Sequence, residues 1–341
     1  MYQSLHCHTK TSDGELNYQQ VLDVCLQYNI SVVAFTDHDA LPNEKAIKLL
    51  EKNRDHKTKW ILGIEISSGW PKEIGGPASN FHIVGLFVNP FDKNLKIHCQ
   101  KAKLARIERM ERMVKNLRSL GFEISKKDCL KESGGETVGR PHIVAALLKK
   151  ERNLKIIEEL KKKMEKEAKH DLKIKKLYET MIKAGKEQYP YFLFLDPKAF
   201  FPDIYVPYLY WKDMAETVKL IRDAGGVAIL AHWTLSKNKV NVQMIEKFFR
   251  EKRLDGAEIV FGQPGIIEKM DKKIKEEFKQ DMEIMQKLTK KCGVLQGGGA
   301  DLHKRQDFEL FVKQKWFASK TIGLIQKMMK MRDLNLEFSS L

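Results

Sequence analysis

The sequence predicts an α/β protein in which about seven strands form a barrel or a parallel sheet, interrupted by a long helical segment. Short runs rich in β-branched and aromatic residues alternate with amphipathic patterns near both ends of the chain, whereas helical periodicity dominates residues 96–205. Polar residues that can bind metal follow one predicted strand after another. The 341 residues suffice for two average domains, or for one large domain with an insertion.

The N-terminal part begins with a predicted strand that runs from Tyr2 and carries His6 and His8. Because side chains alternate along a strand, both imidazoles project from the same face, and Cys7 between them faces the core. Such a pair is a weak metal signal alone, since a surface strand can carry two histidines by chance. A helical pattern at 18–28 and strand patterns at 31–36, 60–66 and 81–88 follow.

The middle part reads as a helical insertion. Apolar residues recur at helical spacing from Leu104 to Leu120, the motif GRPHI occupies 139–143, and a lysine-rich helical pattern covers 154–182. The aromatic stretch 189–211 leads back to the core. We therefore expect an insertion domain at 96–205 and a core domain made of 1–95 and 206–341.

The C-terminal part resumes the alternation. An amphipathic helix at 213–224 ends at two glycines, which is typical of a helix C-terminus. The predicted elements that follow are strand 227–231, helix 242–249, strand 257–261, helix 274–292 and strand 294–296, and a run of glycines then leads to Asp301 and His303.

Composition limits the possible partners. The formal net charge is +16, and residues 96–190 contain 26 basic and 14 acidic residues, so this segment carries +12 of it. A nucleotide or a short single-stranded nucleic acid is therefore a candidate partner. For the lysine-rich stretch 149–176, a solvated helix face is the more ordinary interpretation and an electrostatic guide for the substrate is the alternative.

Cysteine usage and hydropathy point to a cytoplasmic protein. The five cysteines are scattered and form no CxxC pair, which argues against a disulfide framework and fits a reducing compartment. No basic and apolar leader precedes the first strand, and no apolar run approaches the roughly 18 residues of a membrane span. The sequence says nothing about oligomeric state.

The polar residues at or near the predicted strand ends form a candidate metal site. Nitrogen and oxygen ligands without cysteine suit manganese, iron(II) or zinc. Nine ligands are too many for one ion, so we expect two or three, with Glu65 as a natural bridge. Ions about 3.5 to 4 Å apart polarise a phosphoryl oxygen, generate hydroxide and stabilise a leaving oxygen, which is what phosphoester hydrolysis needs. The nine candidates are His6, His8, Asp13, His38, Glu65, His82, His232, Asp301 and His303.

Seven motifs give the chain a family resemblance. They occur in the order HCHTKTSDG, FTDHD, GIEIS, FHIVGL, GRPHI, ILAHW and GGADLH. In this order they resemble the motifs of the PHP (polymerase and histidinol phosphatase) superfamily. An insertion with GRPH resembles the stand-alone branch that includes nucleoside 3',5'-bisphosphate phosphatases and 5'-3' exoribonucleases acting on short RNA.

The resemblance implies a distorted (β/α)7 TIM-like barrel with a trinuclear site. One ion would be held by His6, His8, Glu65 and Asp301, a second by Glu65, His82 and His232, and a third by Asp13, His38 and His303. His82 is placed only by the resemblance, because it begins its predicted strand, whereas the other candidates lie at or next to the ends of predicted strands.

Further roles also come from the resemblance. Asp37 would orient an imidazole ligand, and Arg140 and His142 would contact substrate phosphate, with His142 as a proton donor to the leaving group. Glu258 has three open interpretations: an orienting residue, a substrate contact or a surface glutamate. Trp233 and Ala300 stand where the family usually has proline and serine, which could reshape the pocket.

We therefore expect a metal-dependent phosphoric ester hydrolase. Attack of a metal-bound hydroxide on a phosphate of a nucleotide, such as a 3',5'-bisphosphate or AMP, or of a short oligonucleotide is the expected reaction. The alternatives are a phosphatase acting on another small phosphate, such as histidinol phosphate, and a non-catalytic module that binds nucleic acid or metal.

Overall fold

The computed structural model describes residues 1–78, 80–134 and 137–332. Two compact units, each with its own hydrophobic core, divide the chain. The barrel unit comprises Met1–Ala102 and Trp211–Leu341, and the helical unit comprises Lys103–Tyr210. The helical unit therefore begins seven residues later and ends five residues later than the insertion predicted at 96–205. Residues 333–341, which the prediction assigned to the core, lie outside the described residues.

The seven strands form one sheet in the order β1-β2-β3-β4-β5-β6-β7. Their number and the α/β class agree with the prediction. The strands are β1 (Tyr2–Ser4), β2 (Ile30–Phe35), β3 (Lys59–Ser67), β4 (His82–Leu86), β5 (Val227–Leu230), β6 (Gly256–Val260) and β7 (Leu295–Gly298).

The α-helices carry labels in chain order. They are α1 (Tyr18–Gln27), α2 (Glu44–Lys52), α3 (Lys93–Ser119), α4 (Lys126–Ser133), α5 (Arg140–Leu148), α6 (Glu151–Glu167), α7 (Leu172–Ala184), α8 (Tyr189–Leu193), α9 (Met214–Asp223), α10 (Val242–Arg250), α11 (Pro264–Lys269), α12 (Lys272–Cys292), α13 (Arg305–Lys313), α14 (Lys315–Ala318) and α15 (Leu324–Arg332).

One strand runs against the others. β4 pairs antiparallel with both β3 and β5, whereas the remaining pairs are parallel. In the β3–β4 register, Ser67 at the end of β3 faces His82 at the start of β4. The start of β4 therefore lies at the same rim as the carboxyl ends of its parallel neighbours. This reversal explains why His82 begins its strand and yet belongs with the other candidates.

The sheet curves until its first and last strands nearly close. The backbone N–H of Leu5 donates to the carbonyl of Gly298 at 3.1 Å, and Cys7 and Leu302 form a parallel bridge beyond β1 and β7. Gly298 has φ of +122°, and a Cβ at this position would lie 2.1 Å from the Val260 carbonyl oxygen. Only glycine allows this approach, which accounts for a glycine at this point of the run before Asp301.

Helices of the barrel unit pack through apolar faces, and several of them begin at a residue whose side chain caps the helix. Asn17 caps α1 by accepting from the backbone N–H of Gln20, whose side chain accepts from Asn17 N–H in return. α9 begins at Asp213 through the same arrangement with Glu216, and it ends before Gly225 at φ +82°. The sequence signals therefore predicted both ends of this helix.

The helical unit packs its own core. The lysine-rich stretch that read as one helical pattern is two helices, α6 and α7, because Asp171 caps a new start by accepting from the N–H groups of Lys173 and Ile174. Asn153 is fully buried and ties α6 to the preceding chain through the N–H and C=O of Glu123.

Two further sequence expectations concern the whole described chain. Within residues 1–78, 80–134 and 137–332, none of the helices combines the length and apolar character needed to cross a bilayer. All five cysteines are free thiols. Cys7 is buried in the barrel core, as its position between two same-face histidines predicted.

Candidate metal centre

The structure brings all nine predicted ligands together at one rim of the barrel unit. Five strands supply them directly after the strand or near its end, and the reversed β4 supplies one at its start. His6 and His8 follow β1, with Asp13 in the next loop; His38 follows β2, Glu65 lies in the last part of β3, His82 begins β4, His232 follows β5, and Asp301 and His303 follow β7.

Glu65 lies at the centre of this group and faces histidines with both oxygens. Oε1 is 2.8 Å from His82 Nδ1 and 2.8 Å from His232 Nε2. Oε2 lies 3.3 Å from His6 Nε2, 3.2 Å from His8 Nε2 and 2.9 Å from His38 Nδ1. A carboxylate with two such faces can bridge two cations.

Two further carboxylates, those of Asp301 and Asp13, also lie close to imidazoles of this group. Asp301 Oδ1 is 3.2 Å from His8 Nε2 and 3.4 Å from His303 Nδ1. Asp13 Oδ1 is 3.4 Å from His303 Nε2, and its Oδ2 is 4.0 Å from His38 Nε2. Asp13 Oδ1 is also 3.7 Å from His8 Nδ1, so Asp13 lies nearest to His303, with His8 and His38 slightly farther away.

Three buried carboxylate oxygens that lack hydrogen-bond donors indicate that cations fit this group of residues. Across the part of the chain that the structure describes, Asp13 Oδ1, Glu65 Oε2 and Asp301 Oδ1 are buried without a hydrogen bond of normal geometry. A buried anionic oxygen without a donor is costly unless a cation lies beside it. The residues form three overlapping groups whose ligand atoms lie within 4.8 Å of one another: His8, Asp13, His38 and His303; His6, His8 and Asp301; and His38, Glu65 and His82. The donor set fits divalent transition metals.

The electrostatics of the centre favour positive charge. Burial opposes protonation of His303, but Asp301 and Asp13 outweigh it and raise the pKa of the imidazole to about 10. Burial likewise opposes protonation of His6, yet Glu258 and two other carboxylates raise its pKa well above the usual value.

The carboxylates shift in the opposite direction. Burial would raise the pKa of Glu65, but His38, His6 and neighbouring imidazoles lower it well below the usual value. Burial also opposes ionisation of Asp13, whereas His303 and His38 lower the pKa of that carboxyl well below normal. The centre therefore keeps its carboxylates ionised and holds positive charge against them, which metal ions would replace.

The carboxylate of Glu258 hydrogen-bonds two of the candidate ligands, His6 and His232. It is 2% exposed, so the surface interpretation is wrong. Its Oε1 is 2.7 Å from His6 Nδ1, and its Oε2 accepts from the backbone N–H of His232 at 2.7 Å. Because both oxygens are engaged, the structure does not support the substrate-contact interpretation. Glu258 orients the His6 ring, which directs Nε2 into the centre.

Asp37 does not contact an imidazole, which corrects the role expected for it. Its Oδ1 accepts from the N–H of Thr9 at 2.8 Å and from Ser12 Oγ at 2.6 Å, and its Oδ2 accepts from Thr9 Oγ1 at 2.8 Å and Tyr18 OH at 3.2 Å. Asp37 therefore fixes the loop between His8 and Asp13. Its link to a ligand is indirect, through Ser12 Oγ at 3.4 Å from His8 Nδ1.

Two candidate ligands adopt left-handed backbone conformations. His232 has φ of +26° and Asp301 has φ of +45°. Such conformations cost free energy for residues other than glycine and persist only where the surroundings enforce them. The hydrogen bond from His232 N–H to Glu258 is one such constraint.

Asp281 constrains the loop that follows His232, and sequence reasoning missed it. Its Oδ2 accepts a short hydrogen bond from Thr234 Oγ1 and lies 2.7 Å from Lys237 Nζ. Asp281 lies within α12, far from any strand end, so no local pattern distinguishes it from other helix residues. Only the packing of α12 shows that this carboxylate holds the loop that follows His232.

The two departures from the family motifs are buried structural residues. The Trp233 indole Nε1 donates to the carbonyl of Val240 at 2.6 Å, which fixes the turn after His232. Ala300 is fully buried, and its backbone N–H donates to Ser4 Oγ at 3.2 Å. Neither side chain replaces a ligand.

The predicted substrate contacts lie in the helical unit. Arg140, the first residue of α5, donates from Nη1 to the carbonyl of Leu195 at 3.1 Å and lies 3.4 Å from Asp196 Oδ2. The Nδ1 of His142 accepts from the N–H of Gly139 at 2.9 Å. In the neutral ring this leaves the proton on Nε2, which is then the donor nitrogen.

Comparison with known protein families gives one match. The PHP domain family model matches residues 4–117, which include His6, His8, Asp13, His38, Glu65 and His82.

Curated relatives match over part of their length. They include a 3',5'-nucleoside bisphosphate phosphatase from Chromobacterium violaceum, 26% identical over 42% of this chain and 48% of the relative. A 5'-3' exoribonuclease from Haemophilus influenzae is 26% identical over 35% of this chain and 40% of the relative. A phosphoribosyl 1,2-cyclic phosphate 1,2-diphosphodiesterase from Eggerthella lenta is 28% identical, over 43% and 54% respectively. The matches thus span about half the length of these relatives.

Solved structures share the fold. A candidate metal-dependent phosphoesterase from Bifidobacterium adolescentis superposes with a TM-score of 0.62 at 20% identity, over 88% of this chain and 87% of the other. An amidohydrolase from Chromobacterium violaceum with bound sulfate gives 0.59 at 18% identity, over 89% and 88%. The domain match and the shared fold confirm the predicted resemblance of this chain to the PHP superfamily.

Proposed function

We propose that this chain is a metal-dependent phosphoesterase that hydrolyses a phosphate ester of a nucleotide or a short oligonucleotide. The observation that carries the proposal is the group of three buried carboxylate oxygens without hydrogen-bond donors among six converging imidazoles. The curated relatives, which are named for phosphate esters of nucleosides, RNA or ribose, support the substrate class.

We assign the ligands to three positions. Glu65 Oε2 with His6, His8 and Asp301 forms the first, and Glu65 Oε1 with His82 and His232 forms the second. Asp13, His38 and His303 form the third. The two faces of Glu65 and the short approach of Asp13 to His303 support this division. We expect two to three ions of manganese, iron or zinc per chain.

The protein's own groups would prepare the reaction. Bound divalent ions supply Lewis acidity for the phosphoryl oxygen, a lowered pKa for water and charge stabilisation for the leaving oxygen. Glu258 fixes the His6 ring, and the loop held by Asp37 carries the chain from His8 to Asp13. These supports hold the ligands in place before substrate arrives.

The helical unit would supply substrate contacts in this proposal. The Arg140 guanidinium can bind phosphate oxygens in a bidentate manner. The neutral His142 ring, whose Nδ1 accepts a backbone hydrogen bond, can donate a hydrogen bond from Nε2 to a phosphate or leaving oxygen. Transfer of a proton to the leaving group would require the imidazolium form, in which Nδ1 is protonated and gives up its hydrogen bond from Gly139.

Metal analysis and a substrate screen test the proposal. Purified protein should contain two to three transition metal ions per chain. With manganese, it should release phosphate or a shortened product from at least one of adenosine 3',5'-bisphosphate, AMP, short RNA and a ribose cyclic phosphate. Histidinol phosphate tests the alternative small phosphate. Less than one ion per chain, or no turnover of any compound, would contradict the proposal.

Two variants and two matched controls locate the chemistry. Asp13→Ala and His142→Ala should greatly weaken turnover while the thermal unfolding transition stays cooperative. Asp55→Ala in the barrel unit and His170→Ala in the helical unit remove exposed residues of the same types and should leave turnover unchanged. Wild-type rates in both test variants would refute the assigned site.

A further inference from the structure

The helical unit brings three arginines together. Arg106 and Arg109 lie three residues apart on α3, which places them on one face of the helix, and Arg140 begins α5. The charges of Arg106 and Arg140 both act on Arg109. The three side chains are half-buried, so they are neither core residues nor freely solvated surface residues.

Tyrosine rings hold these guanidinium groups in place. The ring of Tyr205 lies 5.2 Å from the Arg109 guanidinium carbon and 6.0 Å from that of Arg140, and the Tyr191 ring lies 5.7 Å from the latter. The Arg106 guanidinium lies 5.0 Å from the Tyr208 ring. Contact with aromatic faces restrains the guanidinium groups. A guanidinium has five N–H donors, so the bonds of Arg109 Nε to Val206 and of Arg140 Nη1 to Leu195 and Asp196 leave further donors on each of these two groups.

Arg109 has no anionic partner to balance it. Its Nε donates to the carbonyl of Val206 at 2.7 Å, and no carboxylate among the described residues lies within ion-pair distance of it. Burial, together with the charges of Arg140 and Arg106, lowers the pKa of Arg109 to about 10. The group still carries its charge at neutral pH, in a position where like charges oppose it. An anionic ligand would relieve this repulsion.

We propose that Arg106, Arg109 and Arg140 form a phosphate-binding site of the helical unit that receives a phosphate group of the substrate. Planar guanidinium groups bind phosphate oxygens through paired hydrogen bonds, which suits three of them better to phosphate than to a carboxylate ligand. This inference rests on the proposed nucleotide substrate and adds Arg106 and Arg109 to it. The phosphate belongs to a nucleoside bisphosphate, to a nucleoside monophosphate or to an oligonucleotide backbone.

Binding to the full chain in the presence of a chelator tests this site without contributions from the metal centre. Calorimetric titration with adenosine 3',5'-bisphosphate, AMP, a short RNA and adenosine should show binding of the phosphate-bearing compounds. Arg109→Met should weaken that binding by about tenfold or more, because charge-assisted bidentate hydrogen bonds are lost. Arg112→Met removes one exposed arginine from the same helix, and it should weaken binding by less than about twofold, as expected for a distant solvated charge.

The outcomes identify which compound supplies the phosphate, and they distinguish failure of this site from failure of the proposed function. The phosphate compound whose affinity depends most on Arg109 identifies the source of the phosphate. The site is overturned if no phosphate compound binds, if adenosine loses as much affinity as the bisphosphate, or if Arg109→Met and Arg112→Met agree within about threefold, a difference below that of one charged hydrogen bond. Should Arg109→Met fail to fold, Arg109→Lys is judged by the same criterion, since lysine lacks the bidentate geometry. Absent turnover with metals, beside intact Arg109-dependent binding, would refute the phosphoesterase and keep the site.

Discussion

The barrel unit and the helical unit place charge in opposite ways. At the barrel rim, carboxylates and imidazoles are buried against one another, and Glu65 alone faces five histidines. In the helical unit, the guanidinium groups lie against tyrosine rings and keep part of their surface in solvent. Buried imidazole and carboxylate acceptors of fixed geometry suit divalent transition metal ions, whereas half-exposed planar donors suit a larger anion that must enter and leave. Under the proposed function, the barrel unit would bind the metal ions and the helical unit would bind the substrate phosphate.

The largest effect should come from Glu65→Gln, which removes the carboxylate charge that lies between the two groups of histidines around Glu65 Oε1 and Oε2. We expect the bound metal to fall below one ion per chain and turnover to fall at least about 100-fold, because an amide cannot bridge two cations as a carboxylate does. Elemental analysis and initial rates measure both quantities. Glu51→Gln removes an exposed glutamate of the barrel unit and should change neither. Retention of all metal by Glu65→Gln would remove the bridging role.

Glu258→Gln should weaken metal binding without abolishing it. Loss of this carboxylate leaves the His6 ring poorly oriented and its Nδ1 proton without an anionic acceptor, so metal affinity should fall about 10- to 100-fold. Competition with a fluorescent chelator measures the change directly, independently of turnover. Glu268→Gln, an exposed glutamate of the same unit, is the control. Equal affinities in the two variants would show that Glu258 only fills space.

Metal binding should strengthen as pH rises. In the metal-free protein the His303 imidazole holds its proton up to about pH 10, because Asp301 and Asp13 outweigh the effect of burial on its pKa. The bound proton stabilises the metal-free fold below the unfolded pKa of about 6.5, and this contribution is lost as pH rises through the folded value. Since metal must displace the proton, apparent affinity should increase with pH across this window. Calorimetry in two buffers of different ionisation enthalpy should detect proton release; none would contradict the shift.

Asp37→Asn should destabilise the loop before Asp13 more than it alters any single ligand. It disturbs hydrogen bonds to Thr9, Ser12 and Tyr18, so we expect a loss of about 1–3 kcal/mol in the free energy of unfolding. Tyr18→Phe removes the hydrogen bond to Asp37 and the one between Tyr18 OH and Thr11 Oγ1, and it should cost about 1 kcal/mol. Chemical denaturation of both variants compares them. If Asp37→Asn were the milder change, the loop would not depend on this carboxylate.

The smallest effects should come from the lysines of α6. Lys162 and Lys166 are exposed, so replacing either with glutamine should change the free energy of unfolding by less than about 0.5 kcal/mol. The KM should change by less than about twofold if these residues are a solvated face. A larger rise in KM that disappears at high salt would instead support the electrostatic guide. Steady-state kinetics at two ionic strengths decide between the two interpretations.

The sequence by itself identified the residues that the structure brings together in the candidate metal centre, and it predicted the number of strands. Ligand types are properties of single residues, and the period of two that marks a strand is local, so His6, His8 and Asp301 could be assigned to strand ends without a structure. The sequence also contains the capping residue Asp171, which marks the start of α7. The lysine-rich helical pattern runs through this position, so the sequence analysis predicted one helix instead of two.

Only the tertiary structure decided how distant segments support those ligands. The reversal of β4 places His82 at the rim, Glu258 lies behind His6 although 252 residues separate them, and Asp281 reaches the loop after His232 from the middle of α12. Asp37 accepts hydrogen bonds from Thr9 and Ser12 and does not hydrogen-bond an imidazole. These contacts depend on strand direction, register and helix packing, which arise from burial of the whole core and leave no local periodic signal.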